Sequence, residues 1–341
     1  MHQWRIPLLF FVSGAGIHFS LKKRTVIAFA GERIIRLLIP LLFAMFFTIP
    51  LQVYFERLQK GQVTGSYFSF YPSVWRMIPY PEGTLTWSHM WFVTYLFVYC
   101  ILLLPVFALF KIKTLRQFKE YFADKLSNPF VAIFMCIPLA VYYYTLYLKY
   151  PEQQSLLDDW FLFIFSLTLV IYGYMVASSD RFWLTCEKYR FLFLSFAAIC
   201  IILLFYNYWW NFNIPKQKNN RFFVYGTLNA LHIWLIILAA AGFVKRYLNF
   251  TNSFLQYANQ AVYPLYIIHQ TIIVALGYYV VQWQLPAFMK LTVLTLCSFL
   301  SVFIAYHYFI RPFIVTRILF GMKLKKKQKD PQLESGADII M

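Results

Sequence analysis

Two arginines set three residues apart, Arg33 and Arg36 in "GERIIRLLIPLLF", stand at the start of a long apolar run. That spacing predicts one shared helical face. A pair of guanidinium groups at such an entrance can fork onto phosphate oxygens. The same pair can also snorkel to lipid headgroups, and the spacing leaves both readings open. Two histidines stand in comparable settings. His89, in "TWSHMWFVTYLFVY", lies among Trp87 and Trp91, where it is either an interfacial belt residue or a hydrogen-bonding group at a pocket mouth. His269, in "YPLYIIHQTIIV", is deep in an apolar run with Tyr263, Tyr266 and Gln270 close by. A buried imidazole needs a partner, so His269 is either a satisfied packing residue or the lining of a polar cavity. His18, His232 and His307 are read as packing residues, and His2 carries no geometric argument.

Other chemistries find no support. The five cysteines have no CxxC or CxxH spacing and four lie in or beside apolar runs, so a metal site or a disulfide framework is not expected. There is no GxSxG, HExxH, GxGxxG or phosphate-loop pattern. Acidic residues nearly avoid the apolar runs, Glu32 and Glu56 only flanking them, which argues against a proton- or sodium-driven transporter. No basic stretch belongs to a soluble module, so a nucleic-acid partner is not expected.

The elements that must position these residues are membrane helices. Hydrophobic residues make up 61% of the 341 and charged residues 13%, about half the charge of an ordinary soluble domain. A bilayer crossing takes about 20 mostly apolar residues. Nine candidates follow: 6–21, 34–54, 89–110, 129–148, 159–178, 190–210, 225–244, 261–282 and 288–310. The fold class is therefore all-α, a polytopic transmembrane bundle. Of the 31 Lys and Arg, 22 fall on the side of the loops near residues 22–36, 111–128 and 181–190, and 9 on the other. The positive-inside bias puts the richer side in the cytoplasm, with the aromatic 55–88 loop outside. The membrane domain is expected over 1–315, with a basic, polar cytoplasmic tail over 316–341. Ser13 and Gly14 suit close helix packing.

In order and spacing, "QWRIPLLFFVSG" (3–14), "ERIIRLLIPLLF" (32–43), "SHMWFVTYLFVY" (88–99) and "YPLYIIHQ" (263–270) resemble the acyltransferase 3 family of membrane O-acyltransferases, in its glucan succinyltransferase-like branch. The resemblance implies about ten helices in a multi-pass protein of the bacterial inner membrane. It implies acyl-CoA as donor substrate on the cytoplasmic side, no bound cofactor, and a carbohydrate or similar hydroxyl acceptor. Arg33 and Arg36 would hold the CoA phosphates, while His89 and His269 would line the acceptor side or the tunnel between. The family's first helix carries the histidine thought to act as base, and this chain aligns from the second helix onward. On that expectation the base is missing, His2 does not replace it, and an inactive remnant is one alternative. A transporter or flippase of a lipid-linked or small polar substrate is the other.

Overall fold

The computed structural model of the chain describes residues 3–210 and 212–323. His2 and the basic tail from residue 324 lie outside the described residues. Among those described there is no β-strand, only an isolated bridge between Pro79 and Leu85. The helices are α1 (Arg5–Lys22), α2 (Val26–Gln59), α3 (Trp91–Leu102), α4 (Leu104–Leu109), α5 (Lys113–Lys125), α6 (Pro129–Tyr147), α7 (Trp160–Val176), α8 (Asp180–Lys188), α9 (Arg190–Trp209), α10 (Asn220–Tyr247), α11 (Ser253–Val281), α12 (Ala287–Ile310) and α13 (Ile314–Leu319).

All nine apolar runs are helical, but nine uniform spans is not what they build. Among the described residues six helices (α2, α6, α9, α10, α11 and α12) are long and apolar enough to cross a membrane, and α7 with α8 makes a seventh if that bent pair is one span. The corrections have local causes. Pro105 has no N–H for the backbone ladder, and the 89–110 run breaks at Leu103 into α3 and α4. The 159–178 run stops because the Ser179 side chain accepts from the Phe182 N–H and caps a new helix, which leaves at 108°. The short 6–21 run is α1, closed where the Thr25 hydroxyl caps α2. Helices α2 and α11 carry internal prolines, and each proline removes one backbone donor. In α2, Pro40 and Pro50 follow π-helical turns at Ile34–Leu38 and Ala44–Thr48, the pattern by which a helix absorbs a missing hydrogen bond.

The described residues divide into two compact units, one drawn from residues 1–34 and 87–253 and one from residues 35–86 and 254–341. In the first, α1 packs along α7, and α10 packs against α9, α8 and α6. Gly14 and Gly173 make the α1–α7 approach possible: a Cβ on Gly14 would collide with the Val170 carbonyl, and one on Gly173 with the Phe11 carbonyl. The aromatic core ties helices together through polar tips. Trp234 donates to the Ala132 carbonyl at 2.7 Å, Tyr99 to Phe163 at 2.8 Å and Tyr172 to Met135 at 3.2 Å. His232 is buried and donates from Nδ1 to the Ala197 carbonyl at 3.0 Å, so its packing role stands.

In the second unit, the 35–59 part of α2 meets α11 through a small polar layer. Gln52 donates to Thr271 Oγ1 at 2.7 Å, and Thr271 donates to the Thr48 carbonyl at 3.1 Å. Pro50 has no N–H to offer the Phe46 carbonyl, which instead accepts from Tyr71 of the loop at 3.2 Å. Arg57 gathers the carbonyls of Pro81 and Glu82 at 2.9 and 3.1 Å, fixing the aromatic loop onto the end of α2. Residues 316–323, expected to begin the tail, belong to this unit instead. They form the end of α13 and its cap, with Arg317, Phe320 and Met322 buried, because the chain turns back after Arg311 and lays α13 against Ile39–Phe43 of α2.

Candidate functional site

The site in the second unit starts from a polar stripe on α11. Gln256, Asn259, Gln260 and Tyr263 recur at the i, i+3, i+4, i+7 spacing of one helical face, and all four line one cavity of about 650 Å³. Its other walls are cationic. Arg36 comes from α2, Arg311 from the end of α12, Arg317 from α13 and Lys323 from the segment beyond. Arg36 donates from Nε to the Gly321 carbonyl at 3.3 Å. Arg317 is 6% exposed and donates to the Arg311 carbonyl at 3.2 Å. The backbone of the return segment thus orients the guanidinium groups, and among the described lining residues there is no carboxylate. A volume of this size is ordinary for a small-ligand site, and its charge suits an anion.

His269 lies on the same helix, six residues past Tyr263, about 9 Å further along the axis at 1.5 Å per residue. Its Nδ1 is 2.7 Å from the Tyr266 carbonyl, and its ring stacks on Tyr266 at 5.7 Å between centroids. A carbonyl only accepts, so Nδ1 carries the proton and Nε2 is the basic nitrogen.

Arg33 and His89 belong to the first unit. Arg33 lies one residue before the end of the α2 stretch in that unit, with Nη2 3.4 Å from Ser20 Oγ, 3.6 Å from Glu32 and the guanidinium over the Phe29 ring. His89 is half-buried on a single 3₁₀ turn, Ser88–Met90, that leads into α3. The unit boundary falls between Arg33 and Arg36, so the arrangement builds a cavity around the second arginine and an ion-paired surface around the first.

The first unit holds two further cavities. One, of about 650 Å³, is lined by Trp91, Tyr143, Tyr147 and Phe161 together with Glu152 and Gln154. Asp159 pins its rim, accepting from the Gln153 and Gln154 N–H groups at 3.2 and 2.8 Å. Glu152 is accessible from the cavity, yet lost hydration among protein atoms and then the Asp159 carboxylate push its carboxyl up from the usual range. The other cavity surrounds His18 and Lys119. Among the described residues no cluster of histidine, cysteine and carboxylate side chains could hold a metal ion. Four cysteines are buried and Cys297 is exposed.

Sequence reasoning singled out Arg36, which lines this cavity, and His269, which lies on the same helix but is not among the lining residues; Arg311, Arg317 and Lys323 entered it only as charges on the cytoplasmic side. The signal for the cavity was the polar stripe in "QYANQAVY".

The family model described as an acyltransferase domain matches residues 1–308. The chain belongs to this acyltransferase 3 family, and it is a multi-pass membrane protein of that class. No curated protein and no solved structure matches it.

Proposed function

We propose that the chain transfers an acyl group from acyl-CoA to a hydroxyl of a carbohydrate or similar acceptor, at a bacterial inner membrane. The observation that supports this most is the cavity of Arg36, Arg311, Arg317 and Lys323 in an acyltransferase-family chain. These cations suit the CoA phosphates, and the amides of Gln256, Asn259 and Gln260 can hydrogen-bond the nucleotide base or the amides of the pantetheine arm. By the charge bias this cavity opens to the cytoplasm, where acyl-CoA is made.

From the phosphates, the pantetheine arm would run along α11 and about 120° around it to reach His269, six residues past Tyr263 at 3.6 residues per turn. There the acceptor hydroxyl attacks the thioester carbonyl. The new C–O bond forms, the C–S bond breaks, the hydroxyl proton passes to His269 Nε2, and the CoA thiolate leaves to be protonated in turn. His269 is the better candidate than His89 because it shares a unit and a helix with the cavity.

The test is acyl transfer from radiolabelled acyl-CoA by the purified chain. Arg36→Ala is expected to raise KM, and His269→Gln to lower kcat by about 10²–10⁴ with little change in KM. A flippase would give no label transfer at all. Full turnover by His269→Gln would remove His269 from the mechanism.

A further inference from the structure

Helix α5 is amphipathic, and its lysines and arginines are exposed with one exception. Lys119 is 4% exposed. Its ammonium lies 3.1 Å from Nδ1 of His18 on α1 and 5.3 Å from the centroid of the Tyr174 ring on α7. An ammonium only donates, so His18 accepts at Nδ1 and is the neutral tautomer protonated at Nε2. Neither His18 nor the tyrosine ring supplies negative charge. Among the described residues no carboxylate lies within ion-pair distance of Lys119.

This lysine lines a cavity of about 490 Å³ with Lys22, Arg24, Lys111, Arg116 and His18. Five fixed cations thus face one space. Two carboxylates offset part of that charge, Glu120 at 3.9 Å from Arg116 and Glu32 on Arg24. A buried cation left without an anion is costly, and a fold that keeps one at the floor of an open cationic cavity has room for the anion to come from outside. A monovalent carboxylate would leave charge uncompensated. A phosphate with two or more charges matches the excess and the number of N–H donors.

We infer that the Lys119 cavity is a binding site for a phosphate-bearing ligand, either a free phosphate compound or the headgroup of an anionic lipid. Lys119 and His18 form its floor, and Lys22, Lys111 and Arg116 its rim. By the positive-inside bias the cavity faces the cytoplasm.

The experiment has two arms, both on the full chain. In nanodiscs of phosphatidylcholine, inorganic pyrophosphate is titrated and followed by calorimetry. In detergent, retention of cardiolipin, whose headgroup carries two phosphates, over phosphatidylcholine is followed by native mass spectrometry. Binding in the first arm identifies a free phosphate compound, and binding only in the second identifies a headgroup. In the arm that binds, Lys119→Met is expected to weaken affinity about tenfold or more, while Lys216→Gln, an exposed cation on the other side of the charge split, leaves it unchanged; Arg36→Gln reports any pyrophosphate held in the other cavity instead. The double variant Lys111→Gln with Arg116→Gln alters exposed side chains only, and is expected to weaken binding even if Lys119→Met folds poorly. No binding in either arm, or binding that neither variant weakens, overturns the proposal. So does a loss confined to Arg36→Gln. The readout is binding alone, so a chain that held pyrophosphate but moved no acyl group would keep this site and lose the acyltransferase reading.

Discussion

The Arg36 guanidinium donates from Nε to the Gly321 carbonyl at 3.3 Å, across 285 residues of chain. Gly321 has φ +65°, and a Cβ there would collide with the Tyr263 ring and the Arg36 carbonyl. Both the sign of φ and the crowding demand glycine. Gly321→Ala is therefore expected to cost about 1–3 kcal/mol of stability and to displace the carbonyl that aims Arg36. Acyl-CoA affinity should fall about tenfold in Gly321→Ala and in Arg36→Lys, which lacks the Nε donor. The double variant should lose little more than either alone, since both break one contact. Additive losses in the affinity cycle would mean that Gly321 does not act through Arg36.

A second expectation concerns the α1–α7 seam. Gly14→Val and Gly173→Val would each drive a side chain into a facing backbone carbonyl, at a cost of at least about 1–3 kcal/mol. Gly16 lies on the same helix as Gly14, with open space for 4 Å around the position a Cβ would take, so Gly16→Val should change stability by less than about 0.5 kcal/mol. Thermal unfolding in detergent checks all three. Equal melting of the Gly14 and Gly16 variants would show that the close approach is not required.

How much of this was readable beforehand depended on how local each cause was. Composition over a window gave the helices of the nine apolar runs, because a run such as "IILLFYNYWW" is apolar whatever it packs against, but the polar helices α5 and α8 and the short α13 fell in stretches read as loops or tail. The breaks were partly readable, since Pro105 and Ser179 act through their own backbones. Arg36 was readable as one of two arginines at the head of an apolar run. Its partners were not, because Arg311, Arg317 and Lys323 join it only when the chain reverses after α12, and no local pattern encodes that return. Lys119 was the least legible. Its neighbours in sequence are exposed charges, and only contact with α1 and α7 makes it a buried cation.

Orientation is tested by impermeant thiol labelling of intact cells, in a Cys297→Ala background because Cys297 is the exposed native cysteine among those described. With the lysine-rich loops inside, Thr64→Cys should label in intact cells. Gln117→Cys should label only after permeabilisation. Both positions are exposed, whereas Lys119 is buried and would report burial instead of sidedness. Labelling of Gln117→Cys in intact cells would invert the topology and place the Arg36 cavity on the wrong side for acyl-CoA.

The buried lysine also predicts a pH dependence. Loss of hydration, with Lys22 adding to it against the opposing pull of Glu120, brings Lys119 down to about 8, from an ordinary value near 10.4. His18, Tyr174 and the rim cations Arg24, Lys111 and Arg116 complete its surroundings. Between about 8 and 10.4 the folded chain has released a proton that the unfolded chain still holds, so stability must rise with pH across that window. Below about 8 the folded chain carries the full cost of the buried charge. Lys119→Met removes the cost at every pH. The variant is therefore expected to melt higher than the wild type at pH 7, and its advantage should shrink steadily as the pH passes from about 8 toward 10. Other lysines and tyrosines titrate in both proteins, so the difference between the two melting curves isolates Lys119. Pyrophosphate at pH 7 should narrow the gap, because an anion in the cavity offsets the charge in the wild type and finds less to hold in the variant. Melting curves that stay parallel from pH 7 to 10 would show that Lys119 carries no unfavourable charge in the fold.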